Sequence, residues 1–346
     1  MFKAVAGYYK DNERLRLLVK IIAVWLISRA VMLLMVPVMN LIADEPHQWL
    51  YYMNPWDAEW YKGIVENGYQ PPKSSGMASW AFFPLYPLVC MAVRLVTMGS
   101  IDTYAVGMTV SNICIIIAVY YAVKYADIEL DMKKYNKKTV EDIIIFLMLA
   151  GPFAVYYGAM YTEALFILCV ILCFYNSARH NYMAAGIAAA MASATRIVGC
   201  MLVFVLITYM FMETCAECRA KHNSEMKDNK EAGIIDKCML TEEAGILIAG
   251  NISLASVIRT FIKNVIKEPK KLVAIMISPL GIFIYMNYLR YFCGDSWAFY
   301  HVQRAWRTQK MFPVIGVLFK SCTGQLSAAS GVKTLNGIIH LCFMQR

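Results

Sequence analysis

Five ionisable side chains could carry chemistry in this sequence: Asp57, Glu163, Arg196, His301 and Arg304. A carboxylate near its ordinary pKa can take the proton of a hydroxyl as that oxygen attacks carbon. Fixed positive charge, or preorganised donors, stabilises a phosphate as it leaves, most strongly where water is scarce. Together they would move a group from a phosphate to a hydroxyl. Asp57 is the candidate base, with Glu163 as a second catalytic carboxylate. Arg196, Arg304, Arg307 and His301 are the candidate phosphate partners. Each has a plainer reading. Asp57 and Glu59 could be solvated loop carboxylates, Glu163 could favour a helix N-terminus, and Arg196 could anchor a helix end at an interface. His301 could be structural, and Trp56, Trp60, Trp80 and Trp306 could form an interfacial belt.

The elements that hold these residues are read from hydropathy. Of 346 residues, 59% are apolar and 16% charged, whereas a soluble domain is nearer half apolar and a quarter charged. The apolar residues come in blocks close to the about 20 needed to cross a bilayer. The expected fold is an all-α, polytopic integral membrane protein of seven to nine spans, one membrane domain over 1–346 with a large first external loop. The net charge of +9 sits in short segments between the apolar blocks, which is a topology signal and calls for no nucleic acid.

Residues 17–42 form the first expected span, entered past Lys10, Arg14, Arg16 and Lys20, so the N-terminus is read as cytoplasmic. Segment 43–99 is then an external loop with interfacial helices. Its 80–98 stretch, with Pro84, Pro87 and Arg94, dips into the outer interface without crossing. That choice makes 104–123 run inward and leaves Lys124, Lys133, Lys134, Lys137 and Lys138 in the cytoplasm. Expected spans follow at 141–159, 163–178, 182–195 and 197–213, then a cytoplasmic insertion over 214–271 and a span at 272–292. Within the insertion, 241–263 reads as an amphipathic interfacial helix. Segment 293–311 is external, and the tail from 312 holds at most one more span. This topology puts Asp57, Glu163, Arg196, His301 and Arg304 at one membrane face, in a setting suited to binding phosphate.

Cys90, Cys114, Cys169, Cys173 and Cys200 lie inside apolar blocks and read as small packing residues. Cys215, Cys218, His222 and Cys238 have partial zinc-like spacing but no second close pair, so no metal is assigned. The residues call for no cofactor and leave a divalent metal open. No cleaved signal peptide is read at the N-terminus.

The first external loop reads Asn54-Pro55-Trp56-Asp57-Ala58-Glu59-Trp60-Tyr61, then Asn67-Gly68-Tyr69, then Ala81-Phe82-Phe83-Pro84-Leu85-Tyr86-Pro87. Three further blocks follow: Pro152-Phe153 with Tyr161-Thr162-Glu163-Ala164-Leu165-Phe166, Ala194-Thr195-Arg196-Ile197-Val198-Gly199, and Gly294-Asp295 with Ala298-Phe299, His301-Val302-Gln303 and Trp306. In this order, over roughly 15–315, the blocks resemble the GPI mannosyltransferase 2 (PIG-V) family and its prokaryotic relatives. Two departures stand out: Trp60 replaces a family His, and no Asn separates Arg196 from Gly199.

The resemblance implies a GT-C fold with a catalytic Asp in the first external loop, here Asp57, and a polyprenyl- or dolichyl-phosphate mannose donor. The acceptor would be a glycolipid or cell-envelope glycan at the non-cytoplasmic face. Trp56, Glu59, Trp60, Tyr69, Phe83, Tyr161 and Gln303 are the expected substrate-binding residues. In a eukaryote the family adds the second mannose of the GPI anchor in the endoplasmic reticulum membrane; the expectation here is a prokaryotic cell membrane. Two alternatives from other classes are a secondary transporter, which wants mid-membrane charges and two similar halves, and a non-catalytic membrane subunit with a partner, suggested by fewer C-terminal spans than the family implies.

Overall fold

A computed structural model of the chain describes residues 12–42, 48–72, 76–231 and 253–306. The described residues are helical with no strand. In chain order the helices are α1 (Glu13–Ile42), α2 (Trp49–Met53), α3 (Ala58–Asn67), α4 (Leu85–Val96), α5 (Thr103–Glu129), α6 (Lys137–Ala150) and α7 (Glu163–Ala178). They continue as α8 (Tyr182–Thr195), α9 (Leu202–Glu231), α10 (Leu254–Lys267), α11 (Pro269–Ile277), α12 (Leu280–Cys293), α13 (Ala298–His301) and α14 (Gln303–Trp306). Short 3₁₀ turns lie at Ser79–Ala81 and Ile197–Met201.

Among the described residues, three stretches are long and apolar enough to cross a membrane: Glu13–Leu41, Thr103–Glu129 and Ile197–His222. The pair α11 and α12, bent by 43°, makes a fourth if it is one span. α5 is the hub, packing most closely on α7, which packs in turn on α8. Small residues allow these close approaches. A Cβ on Gly186 would meet the Ala274 backbone oxygen at 2.7 Å, where α8 crosses α11.

The elements differ from the sequence reading at three places. The expected span 141–159 is a helix only to Ala150; Gly151 and Pro152 end it, and 151–162 is a run of turns. Proline disfavours helical backbone at the residue before it and has no N–H to continue the ladder. Second, the expected insertion 214–271 begins as uninterrupted helix, because α9 runs on to Glu231. Third, an amphipathic helix covers Leu254–Lys267 and so runs past the expected end at 263; residues 241–252 of the expected helix lie outside the described residues. Cys238, Arg307 and the tail from 312 lie outside the described residues.

The bundle has two unlike ends. At one, α1 is tied to α6, Lys20 with Asp142 at 2.5 Å and Lys137 with Glu13. There too the Tyr209 hydroxyl donates to Glu129 of α5 at 2.6 Å, and Lys271, 5% exposed, bridges Glu213 and Glu268 at 3.0 and 2.8 Å. At the other end α3, α4, the start of α5 and the 151–162 turns meet. α4 has only 12 residues, about 18 Å of helix. Its last turn stays at this end, where Arg94 donates to Thr103 at 2.8 Å and lies 3.5 Å from Glu66.

Candidate active site

The turns at 151–162 make some of their own backbone hydrogen bonds, such as Gly158 N–H to Val155 O at 3.1 Å, and the groups left over find partners outside the segment. Asn54, 4% exposed, supplies one, its Oδ1 accepting from the Met160 N–H at 2.7 Å while its Nδ2 donates to Leu50 O at 2.9 Å. Tyr161 supplies the next. Its hydroxyl donates to Pro55 O at 2.5 Å and accepts from the Asp57 N–H at 3.2 Å. From below, Ser111 Oγ of α5 donates to Tyr161 O at 3.3 Å, and Tyr86 of α4 bonds Ser111 at 2.8 Å. Gly107 lets this segment approach α5, since a Cβ there would run into the Met160 side chain. The Asn54–Asp57 loop and the 160–163 segment are thus fastened to each other by groups that sequence separates by about a hundred residues.

That fastening places Asp57 at the N-cap of α3, half-buried, where its carboxylate makes no capping hydrogen bond. Trp56, just before it, has φ +52°, a left-handed conformation uncommon for a bulky residue and characteristic of sites that aim a neighbour. Across from this loop Glu163 opens α7, and Arg196 ends α8, its Nη1 donating to Glu163 Oε1 at 2.8 Å. Burial works against the Arg196 charge, but the Glu163 carboxylate more than offsets it, with Tyr61 and Asp57 adding to the effect, so its pKa is raised. Glu163 takes one donor from a planar fork that has five. The buried Tyr61 hydroxyl joins the group, donating to Thr162 Oγ1 at 3.4 Å, which reaches Glu163 Oε2 at 3.5 Å. Burial first, and then the Glu163 charge, raises the Tyr61 pKa, keeping it an O–H donor.

A carboxylate at a helix N-terminus facing a charge-paired guanidinium, ringed by buried hydroxyls, suits proton removal beside an anion. The sequence pattern that describes the mannosyltransferase (PIG-V) family matches residues 15–223, more than half of the chain and all of this cluster. The chain belongs to this family. No curated protein and no solved structure matches it. As a family member it is a membrane glycosyltransferase of the mannosyltransferase class.

Within this PIG-V family chain, the structure brings Asp57, Glu163, Arg196 and Tyr161 together. His301 and Arg304 lie past the matched stretch. The His301 ring pairs with Asp295 at 2.7 Å; His301 and then the Trp297 N–H hold that carboxyl below its usual range. Arg304 is exposed on α14. Arg307 lies outside the described residues, and Gln303 is half-buried on α14.

The aromatic candidates form a wall beside the site. Trp60 stacks on Phe82 at 5.8 Å, so the residue standing in place of the family's His adds a flat apolar surface. Tyr69 donates to Phe82 O at 2.7 Å, and Phe83 is buried against Tyr285 and Phe299 at 5.1 and 5.3 Å. Trp56 is 60% exposed. Glu59 accepts from the Tyr104 hydroxyl, with Lys62 over that ring at 5.0 Å.

Sequence reading missed Arg29, midway along α1. Its Nη1 donates to Ala154 O at 2.9 Å and packs on Gly158, where a Cβ would lie 2.5 Å away. Its Nε and Nη2 are buried with no hydrogen-bond partner. Asn112 stands beside it, accepting from Trp25 Nε1 at 2.7 Å and donating to Gly158 O at 3.3 Å. The signal was present: an ionisable residue inside an expected span marks function more often than chance placement.

Proposed function

We propose that this chain transfers mannose from a polyprenyl- or dolichyl-phosphate donor to a glycolipid or cell-envelope glycan at the non-cytoplasmic membrane face, by an inverting GT-C-type reaction. The observation that carries the reading is the meeting of Asp57 with the Glu163–Arg196 pair at one end of the bundle. The acceptor hydroxyl gives its proton to the Asp57 carboxylate as its oxygen attacks the anomeric carbon. The bond from that carbon to the phosphate oxygen breaks on the opposite side, and the lipid phosphate leaves. Attack from behind the leaving group inverts the anomeric carbon, with no covalent intermediate. Arg196, held in place by Glu163, presents its remaining donors to the growing phosphate charge, where a preorganised cation in a water-poor site acts most strongly.

Direction in the membrane follows from charge. Lys124 near the end of α5, Lys133 and Lys134 between α5 and α6, Lys137 and Lys138 at the start of α6, and Arg179 just after α7 lie at the end away from Asp57, and the positive-inside rule makes that end cytoplasmic. On this reading α1, α5, α6, α7, α8, α9 and the bent α11–α12 pair each cross once, which gives seven crossings and keeps α3 and α4 in the outer interface. The shorter crossings reach the interface through the turns at their ends.

Purified protein in vesicles, given polyprenyl-phosphate mannose labelled in the sugar, is expected to deliver the label to a lipid or glycan acceptor with the anomeric configuration opposite to the donor's. Retention of configuration would refute the single-base displacement. Uptake of label into the vesicle lumen without transfer would make the chain a transporter.

A further inference from the structure

Helix α10 reads LASVIRTFIKNVIK and divides into three strips. The first packs: Val257 and Val265 are buried, Phe261 meets Phe211 of α9 at 5.7 Å, and Asn264 Nδ2 donates to Glu217 at 2.9 Å. Beside it runs a second apolar strip, Ile258, Ile262 and Ile266, which is 43, 52 and 66% exposed. The third strip is Arg259, Lys263 and Lys267, all exposed at the same four-residue spacing. No acidic residue interrupts the helix. Bare isoleucines bordered by cations match a surface that is oily below and anionic above.

Position agrees. α10 lies against Phe211 and Glu217, whereas Arg196 precedes the other end of the same helical run. At about 1.5 Å per helical residue, Glu217 is about 30 Å from Arg196, close to the thickness of a hydrocarbon core.

We propose that α10 is an in-plane anchor for an anionic phospholipid surface, on the membrane face opposite Asp57. Ile258, Ile262 and Ile266 enter the acyl-chain boundary, and Arg259, Lys263 and Lys267 meet headgroup phosphates. The inference needs only the bundle and its charges, and stands apart from the sugar chemistry.

Amide exchange of residues 254–267 tests it, measured on the full chain in vesicles of phosphatidylcholine alone and with added phosphatidylglycerol. Exchange is expected to slow about tenfold or more with the anionic lipid, and high salt is expected to reverse part of that. In the triple variant R259Q/K263Q/K267Q the lipid dependence is expected to vanish, at about fivefold per charge removed, while the thermal midpoint in neutral lipid stays. Equal exchange in the two lipids would overturn the proposal, as would a triple variant that keeps the difference. Protection that instead rises with protein density in neutral vesicles would assign the strip to a second copy of the chain.

Discussion

Replacing Asp57 by asparagine is expected to lower mannosyl transfer about 10²- to 10⁴-fold, the usual contribution of a positioned general base. The variant keeps the shape of the side chain, and the fastening of the loop does not depend on the carboxylate: Tyr161 bonds the Asp57 backbone N–H and Pro55 O, and Asn54 bonds Met160. Thermal stability is therefore expected to change by less than about 0.5 kcal/mol. The loss belongs in kcat, with the apparent donor affinity little altered, because the carboxylate acts on the acceptor proton and not on the phosphate. Unchanged turnover in D57N would leave the loop with a structural role only. A fall in activity accompanied by an equal loss of folded protein would do the same.

Removing the Arg196 guanidinium has two separable effects. In R196A transfer is expected to fall about 10²- to 10³-fold, the scale of one donor lost from a site of developing charge. Inhibition by free polyprenyl phosphate is expected to weaken with it. Stability is expected to fall too, because Glu163, with 22% of its side chain exposed, loses its counter-ion. A fully buried pair broken in this way costs about 3–5 kcal/mol; partial exposure and screening reduce that to about 1–2 kcal/mol here. The double variant E163Q/R196A separates the two. Neutralising Glu163 is expected to restore most of the stability and none of the transfer. If both return together, Arg196 is only the anchor of a helix end. R196K, which keeps the charge but loses the fork, is expected to fall between the wild type and R196A.

How much of this was legible in the sequence depended on how local each signal was. Asp57, Glu163, Arg196, His301 and Arg304 are legible as ionisable residues at the edges of apolar blocks, and the alternation of the expected spans puts all five at one face. What joins them was not legible. Asn54 reaching Met160, Ser111 reaching Tyr161, and Tyr61 reaching Thr162 are contacts between elements, set by how α3, α5 and α7 pack and absent from any short window. The break after Ala150 was written in Gly151-Pro152, yet 141–159 stays apolar throughout, so hydropathy read through it. Arg29 disappeared in the same way, one cation averaged into a long apolar stretch. The partner of His301 is also beyond a hydropathy reading: Asp295, six residues away, meets its ring at 2.7 Å.

The claim on which the rest depends is that Asp57, Glu163 and Arg196 hold the sugar and phosphate of one lipid-linked donor. Photolabelling with a polyprenyl-phosphate mannose analogue carrying its reactive group on the sugar, followed by mapping of the labelled peptides, tests it directly. Label competed by unmodified donor is expected in 54–61 and in the peptides bearing Tyr161–Glu163 and Arg196. Competed label confined to 293–306, with none on those three peptides, would contradict the account.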